Sequence, residues 1–260
     1  LGETTGDGNA RRWPARLWLV RHGESAGNVA RMRAQAERAD VIEIDVKRDV
    51  DVALSNLGRQ QAEALGLAFA RLPLAERPNV VFSSPYLRAR QTLAQVEGAR
   101  GLAADVGRPV FDERLREREF GILDRLTADG IAKLYPEQAQ YRESLGKFYH
   151  RPPGGESWCD VILRLRSALD TLSLHHAGQR VLIICHEVVV SCLRYLLEEM
   201  TEDEILKIDA ASDVANCAIT EYRLHAGQGR LELVRYNDVA HLQETNAPIT
   251  SEKDFSTAPR

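Results

Sequence analysis

Apolar positions in this chain fall into two kinds of run, and the difference assigns most of its elements. Leu17-Trp18-Leu19-Val20 is uninterrupted and leads straight into Arg21-His22-Gly23, and Val181-Leu182-Ile183-Ile184-Cys185 leads in the same way into His186-Glu187. A contiguous apolar run of this length predicts a strand buried on both faces, as in parallel sheets. Asn79 to Ser83 is a shorter strand of the same kind, with Pro85 at the start of the helix that follows. Elsewhere the apolar residues recur at helical spacing. Ser55 caps a helix carrying Leu57, Gln61, Ala64, Leu65, Ala68 and Phe69. Glu156-Ser157 opens a long amphipathic helix through Val161, Leu165, Ala168, Leu169 and Leu172, and Val188 to Leu197 predicts a mostly apolar one. Leu126 to Tyr135 predicts a helix stopped by Pro136, whereas the Pro/Gly cluster from Gly146 to Ser157 predicts irregular chain. Ala215 to Leu224 and Leu231 to Tyr236 predict strands joined by a Gly-containing turn. Alternating strands and helices, without repeats or linkers, predict one α/β domain: a three-layer α/β/α sandwich around a mostly parallel sheet. It spans 15–244, between a flexible N-terminal tail, 1–14, and a polar C-terminal tail, 245–260.

Chemistry gathers where the two longest strands end. In open α/β sheets ligands bind beyond the carboxyl ends of the strands. There the chain supplies Arg21, whose guanidinium fork suits phosphate oxygens, and His22, a nucleophile or acid–base group near neutral pH. Gly23 permits a close approach of the backbone. A lone Arg-His-Gly has even odds of being a solvated strand cap. A second histidine, His186, at the end of a second core strand makes coincidence much less economical.

Composition narrows the function. With 34 basic and 38 acidic residues the net charge is −4, so no global field attracts nucleic acid or an anionic membrane. An anion site must be a local concentration of Arg and His. No apolar run approaches the ~20 residues of a membrane span, and the first twelve residues contain no apolar core of a signal peptide. Cys159, Cys185, Cys192 and Cys217 are widely spaced, with Cys185 and Cys192 in apolar surroundings as buried thiols. A cytoplasmic location fits these features.

The segment Leu19-Val20-Arg21-His22-Gly23-Glu24-Ser25-x-x-Asn28 resembles the signature of the histidine phosphatase superfamily, which includes phosphoglycerate mutases and fructose-2,6-bisphosphatase. The resemblance runs from about Leu17 to about Leu242. Residue by residue it implies that Asn28 contacts the phosphate, with the Ser25 region lining the pocket. Through Ser83-Ser84-Pro85-x-x-Arg88-Ala89-x-Gln91-Thr92 it puts Arg88 in the phosphate pocket. Arg90, about 200° further round a helix, faces elsewhere. Through Leu115-x-Glu117-x-x-x-Gly121 it makes Glu117 the group that exchanges a proton with the leaving or attacking oxygen. The charged stretch 29–52 reads as an insertion near the pocket mouth. Glu187 departs from the family, which has Gly or Gln there. Tyr236-Asn237-Asp238-x-Ala240-His241-Leu242 and the segment after Ser55 read as structural. The stretch from Leu115 to Ser157 is similar to fructose-2,6-bisphosphatase, but Ala128 stands where that enzyme has a substrate-contacting Tyr. Arg142, Lys147 and Arg151 are candidates for the part of the substrate beyond the phosphate.

These assignments predict a phosphatase needing neither metal nor cofactor. Arg21, Arg88, His186 and the amide of Asn28 surround the phosphate of a small molecule. His22 attacks through one ring nitrogen while the other donates to a backbone carbonyl, and Glu117 protonates the leaving oxygen. Three rivals are weighed. A mutase would use the same residues but carries an extra segment and a Trp/Gly-rich stretch after the Asn, both lacking here. A non-catalytic phosphate- or phosphoprotein-binding module would not need His22 and Glu117 together. A metal held by His22, His186 and Glu24 or Glu187 would sit between two arginines, a poor setting for a cation.

Overall fold

The computed structural model describes residues 12–225 and 227–252. Most of the expected N-terminal tail and the last part of the expected C-terminal tail, 253–260, lie outside the described residues. In chain order the strands are β1 (Arg16–Arg21), β2 (Val80–Ser83), β3 (Val110–Phe111), β4 (Arg180–Cys185), β5 (Ile219–His225) and β6 (Arg230–Asp238). The helices are α1 (Ala26–Ala36), α2 (Asn56–Ala70), α3 (Leu87–Gly98), α4 (Ala128–Leu134), α5 (Pro136–Tyr149), α6 (Trp158–His175), α7 (Glu187–Leu197), α8 (Glu202–Ala211) and α9 (Ala240–Glu244).

The strands form one mixed sheet in the order β3-β2-β4-β1-β5-β6. The four from β3 to β1 run parallel, and the β5–β6 hairpin is antiparallel. Alternation along the two apolar strands explains the layers. Leu17, Leu19, Val181 and Ile183 join Trp158, Leu165, Val188 and Val189 of α6 and α7 in one buried cluster. Trp18, Val20, Leu182 and Ile184 join Leu65 and Phe69 of α2 and Leu93 of α3 in another. The apolar runs are continuous because both faces of the sheet are covered. Side-chain caps set several helix starts: Ser55, Thr127, Ser157 and Thr201 each accept from the backbone N–H three residues on, a device worth about 1 kcal/mol apiece. No helix among the described residues is long and apolar enough to cross a membrane.

Several expectations need correction. Pro136 stops α4 but also begins α5 as its first residue, where its missing N–H costs nothing. The chain is irregular at Gly146, which is non-helical at φ 76° and interrupts α5, but a short helical piece follows it to Tyr149. The 29–52 stretch is helical in its first third, since α1 runs from Ala26 to Ala36 with only Asn28 and Ala34 buried. Ala215 to Ala218 is a turn before β5, with Cys217 at φ 57° and its N–H directed to the carbonyl of Arg21, 3.1 Å away. In agreement with expectation, the Cys185 and Cys192 thiols are buried, and burial holds both protonated.

Candidate active site

Register brings the two histidines together. β1 pairs with β4 so that Arg21 lies opposite Cys185, and the next amide, that of His22, donates to the Cys185 carbonyl at 3.0 Å. The His22 and His186 rings stand 5.0 Å apart between centroids, at 67°. Gly23 then passes so close to α2 that a Cβ on it would lie 2.4 Å from the Gly58 carbonyl oxygen, which only glycine allows.

His22 is 3 % exposed, and its Nδ1 lies 2.7 Å from the Gly23 carbonyl. A carbonyl only accepts, so Nδ1 carries the hydrogen and Nε2 the lone pair. Arg88 Nε donates to that Nε2 at 3.2 Å. Burial first, then the Arg88 and Arg21 cations, hold the His22 pKa well below its ordinary value. Burial, Arg88 and His22 do the same to His186. Both imidazoles are therefore neutral at pH 7.

Around them the other candidates converge. Arg21 is 2 % exposed, and its Nη1 donates to the Val214 carbonyl at 2.5 Å. Glu187 lies 3.3 Å from the same nitrogen, so the family departure pairs with Arg21. His186 Nε2 meets Ser84 Oγ at 2.8 Å, and its Nδ1 faces Glu117 Oε2 at 3.7 Å. Arg21 Nε and His186 Nδ1 are buried without a hydrogen-bond partner, which suits a ligand rich in acceptor oxygens. Glu119 is exposed and accepts from Tyr86 Oη at 2.8 Å, so of the two glutamates only Glu117 is turned to the histidines. Asn28 Oδ1 accepts from the Ser25 amide at 3.0 Å and from Ser25 Oγ at 2.9 Å. Ser25 thus caps α1 and holds Asn28 in place.

The substrate-side candidates separate. Arg142 lines a cavity beside α4 and α5, whose walls include none of Arg21, His22, Arg88, Glu117 or His186. Lys147 does not reach the site: its Nζ donates to both oxygens of Asp209 at 2.7 Å. Arg151 pairs with Asp160 at the start of α6, Nε to Oδ2 at 2.7 Å. Arg90 is exposed, 5.2 Å over the Phe111 ring.

Two residues at the site had no sequence signal. Asp49, from the charged insertion, grips Arg88 through both oxygens, Nη1 to Oδ1 at 3.0 Å and Nη2 to Oδ2 at 2.9 Å. Glu252 accepts from Asn28 Nδ2 at 3.2 Å. It is 6 % exposed, and burial raises its pKa. The segment leading to it is tied down by Gln61 Nε2, which donates to the Pro248 carbonyl at 2.9 Å, and by Thr250 Oγ1, which donates to Asn216 Oδ1 at 2.9 Å. Asn216 in turn donates to the His22 carbonyl at 3.0 Å. Ser84 and Tyr86 were missed too, although both lie inside the Ser-Ser-Pro-x-x-Arg pattern.

An anion reaching Arg88 must displace Asp49, whose side chain is 42 % exposed. A part-exposed pair of this kind is worth about 1 kcal/mol, or roughly fivefold in affinity. Asp49→Asn is expected to tighten competitive inhibition by inorganic phosphate about that much, read from inhibition constants at fixed ionic strength. An unchanged or weaker constant would show that Asp49 does not compete for the pocket.

A neutral histidine, a second histidine and an arginine at the ends of parallel strands, with Arg88 reaching in from α3, form a buried cluster able to hold an anion. The profile of the Histidine phosphatase superfamily (branch 1) matches residues 17–239, and the chain belongs to that family. It is 29 % identical over 231 residues to "Phosphoglycerate mutase-like protein 4" of Arabidopsis thaliana, covering 89 % of this chain and 88 % of the relative. It is 32 % identical over 228 residues to "Bifunctional protein Rv2228c" of Mycobacterium tuberculosis, covering 87 % of this chain but only 52 % of that protein. Among solved structures, Bacillus stearothermophilus YhfR superposes with a TM-score of 0.67 at 26 % identity, covering 87 % of this chain and 98 % of YhfR.

Proposed function

We propose that this protein is a metal-independent phosphatase that hydrolyses phosphomonoesters through a phosphohistidine on His22. The observation carrying most weight is the 2.7 Å contact of His22 Nδ1 with the Gly23 carbonyl, which leaves Nε2 as a lone-pair nucleophile. The phosphate dianion is gripped by Arg21, Arg88, His186 and the Asn28 amide, with the arginines supplying the positive charge that metal ions bring to other phosphoryl-transfer sites. His22 Nε2 forms a bond to phosphorus as the bond to the alcohol oxygen breaks. Glu117, in its protonated form, gives its proton to that oxygen. Water then attacks the phosphohistidine, Glu117 takes the proton back, and inorganic phosphate leaves.

Brief incubation with a labelled alkyl phosphomonoester, in excess chelator, is expected to give an acid-labile, base-stable phosphoenzyme and free phosphate at the rate of untreated protein. With 3-phosphoglycerate and a bisphosphoglycerate primer, phosphate release is expected to exceed formation of 2-phosphoglycerate. A large loss in chelator restored by zinc or manganese overturns the metal-independent reading. Isomerisation outrunning phosphate release makes the protein a mutase.

A further inference from the structure

A neutral His186 carries one ring hydrogen, and the nitrogen that holds it decides what the residue can do. With the hydrogen on Nδ1 it offers a donor to a phosphoryl oxygen. With a bare Nδ1 it presents a lone pair that repels one. The ring is fully buried and flanked by two others, His22 at 5.0 Å and Tyr86 at 5.1 Å between centroids. The contact that bears on the choice comes from Ser84, a residue that no step above uses.

Sheet register puts Ser84 there. β2 pairs with β4 so that Ser83 lies opposite Ile184, and the Ser84 amide donates to the Ile184 carbonyl at 2.9 Å. Pro85 confines the residue before it to extended backbone, and the Ser84 side chain is fully buried. Its Oγ lies 2.8 Å from His186 Nε2. A hydroxyl has one hydrogen and two lone pairs. One lone pair accepts from the Tyr86 amide at 3.3 Å. If Nε2 donated as well, the Oγ would accept twice, and its own hydrogen would be buried without an acceptor among the described residues. Leaving a buried donor unmade is costly, so the hydroxyl donates and Nε2 accepts. The far side of the ring agrees. Nδ1 is buried without a hydrogen-bond partner and faces Glu117 Oε2 at 3.7 Å. That is too long for a hydrogen bond, but a carboxylate oxygen at this distance attracts an N–H and repels a lone pair.

We infer that Ser84 is a positioning residue: by donating to His186 Nε2 it holds the hydrogen on Nδ1, so that the second histidine meets the phosphoryl group as a donor. This rests on the phosphatase reading above. The two imidazoles are then set to opposite tasks by the partners of their other nitrogens. The Gly23 carbonyl leaves His22 Nε2 bare to attack, and the Ser84 hydroxyl leaves His186 Nδ1 with the hydrogen that steadies the oxygens of the group under attack. Ser84 itself makes and breaks no covalent bond.

The test reads the tautomer directly. Long-range nitrogen–proton correlation spectra of isotopically labelled protein at neutral pH, with His186→Gln identifying the resonances, should show Nδ1 of His186 bearing the hydrogen and Nε2 bare. Inorganic phosphate should shift the Nδ1–H resonance. In Ser84→Ala the two tautomers should mix, whereas Ser84→Thr, which keeps the hydroxyl, should hold the Nδ1–H form. Ser84→Ala should also lower kcat/KM for an alkyl phosphomonoester by about tenfold, and Ser84→Thr should restore most of it. The loss stays below the roughly 10²–10³-fold of a whole donor removed from a reacting centre, because Glu117 still draws the hydrogen to Nδ1. In a His186→Gln background Ser84→Ala should cost little more, since a residue acting through His186 has nothing left to position. The wild-type spectrum decides the matter should the buried substitutions fail to fold. With turnover intact, an Nε2–H form in wild type, an Nδ1–H resonance that phosphate does not move, or a tautomer unchanged in Ser84→Ala overturns the inference and leaves the phosphatase reading standing. A Ser84→Ala loss undiminished in the His186→Gln background does the same, by showing that Ser84 only supports the Tyr86 amide. An Nδ1–H form without turnover of any phosphomonoester overturns the phosphatase reading instead.

Discussion

His22→Ala is expected to abolish the acid-labile phosphoenzyme and to lower kcat/KM for any phosphomonoester by on the order of 10⁴-fold or more, the scale seen when a covalent nucleophile is removed from a preorganised site. The expectation follows from a tautomer: with Nδ1 donating to the Gly23 carbonyl, Nε2 of His22 carries the lone pair, towards which Arg88 Nε is directed. The same geometry sets the pH behaviour. In the proposed mechanism the neutral imidazole attacks, and burial followed by the Arg88 and Arg21 cations holds its pKa well below 6.5. Phosphoenzyme formation should therefore stay level as pH falls through 6.5 and decline only at lower pH, once the ring takes up a proton. Rapid-quench measurement of the labelled enzyme across pH checks both points. A label surviving in His22→Ala, or a decline centred near pH 6.5, would mean that another group attacks or that the imidazole is not held neutral.

Glu117→Gln should produce the second largest effect, and one that depends on the leaving group. An alkoxide is a strong base and needs a proton as it departs, a contribution of about 10²–10⁴-fold for a well-placed acid. A nitrophenolate hardly needs it. The variant should lose alkyl phosphate hydrolysis by that factor and largely keep nitrophenyl phosphate hydrolysis, provided breakdown of the phosphoenzyme does not limit the rate. Glu119→Gln should change both substrates little, since Glu119 is turned to Tyr86 Oη and Glu117 to His186. A leaving-group-dependent loss in the Glu119 variant would exchange the two roles.

How much of this could be read from the chain depended on whether the signal was local. β1 and β4 were legible because strands covered on both faces have nothing polar to interrupt them, and each ends on its histidine. The start of α2 was legible because Ser55 caps it. α1 was not, because most of its residues face solvent and it carries no apolar stripe to betray its period. Gly146 suggested a break and makes one, non-helical at φ 76°, but nothing local announced the short helical piece that follows it to Tyr149. Lys147 and Arg151 looked like substrate ligands by position alone. Their partners, Asp209 on α8 and Asp160 on α6, come from elements whose approach no local pattern announces. Asp49 and Glu252 are the extreme case. A carboxylate arriving from a charged loop or from the end of the chain has no motif, only a place in the folded structure.

The position of β4 in the sheet has a consequence for how the molecule is made. β4 comes late in the chain, but in the sheet it lies between β2 and β1, which come early. Until Arg180 to Cys185 has been synthesised and docked, β1 and β2 each present an open hydrogen-bonding edge of strongly apolar residues, the kind of edge that other chains can pair with. Closing it requires a contact of long sequence separation, which is slow. The same event carries His186 to His22. Protection from aggregation and assembly of the two-histidine centre are thus one step, and a chain released before β4 is complete lacks both.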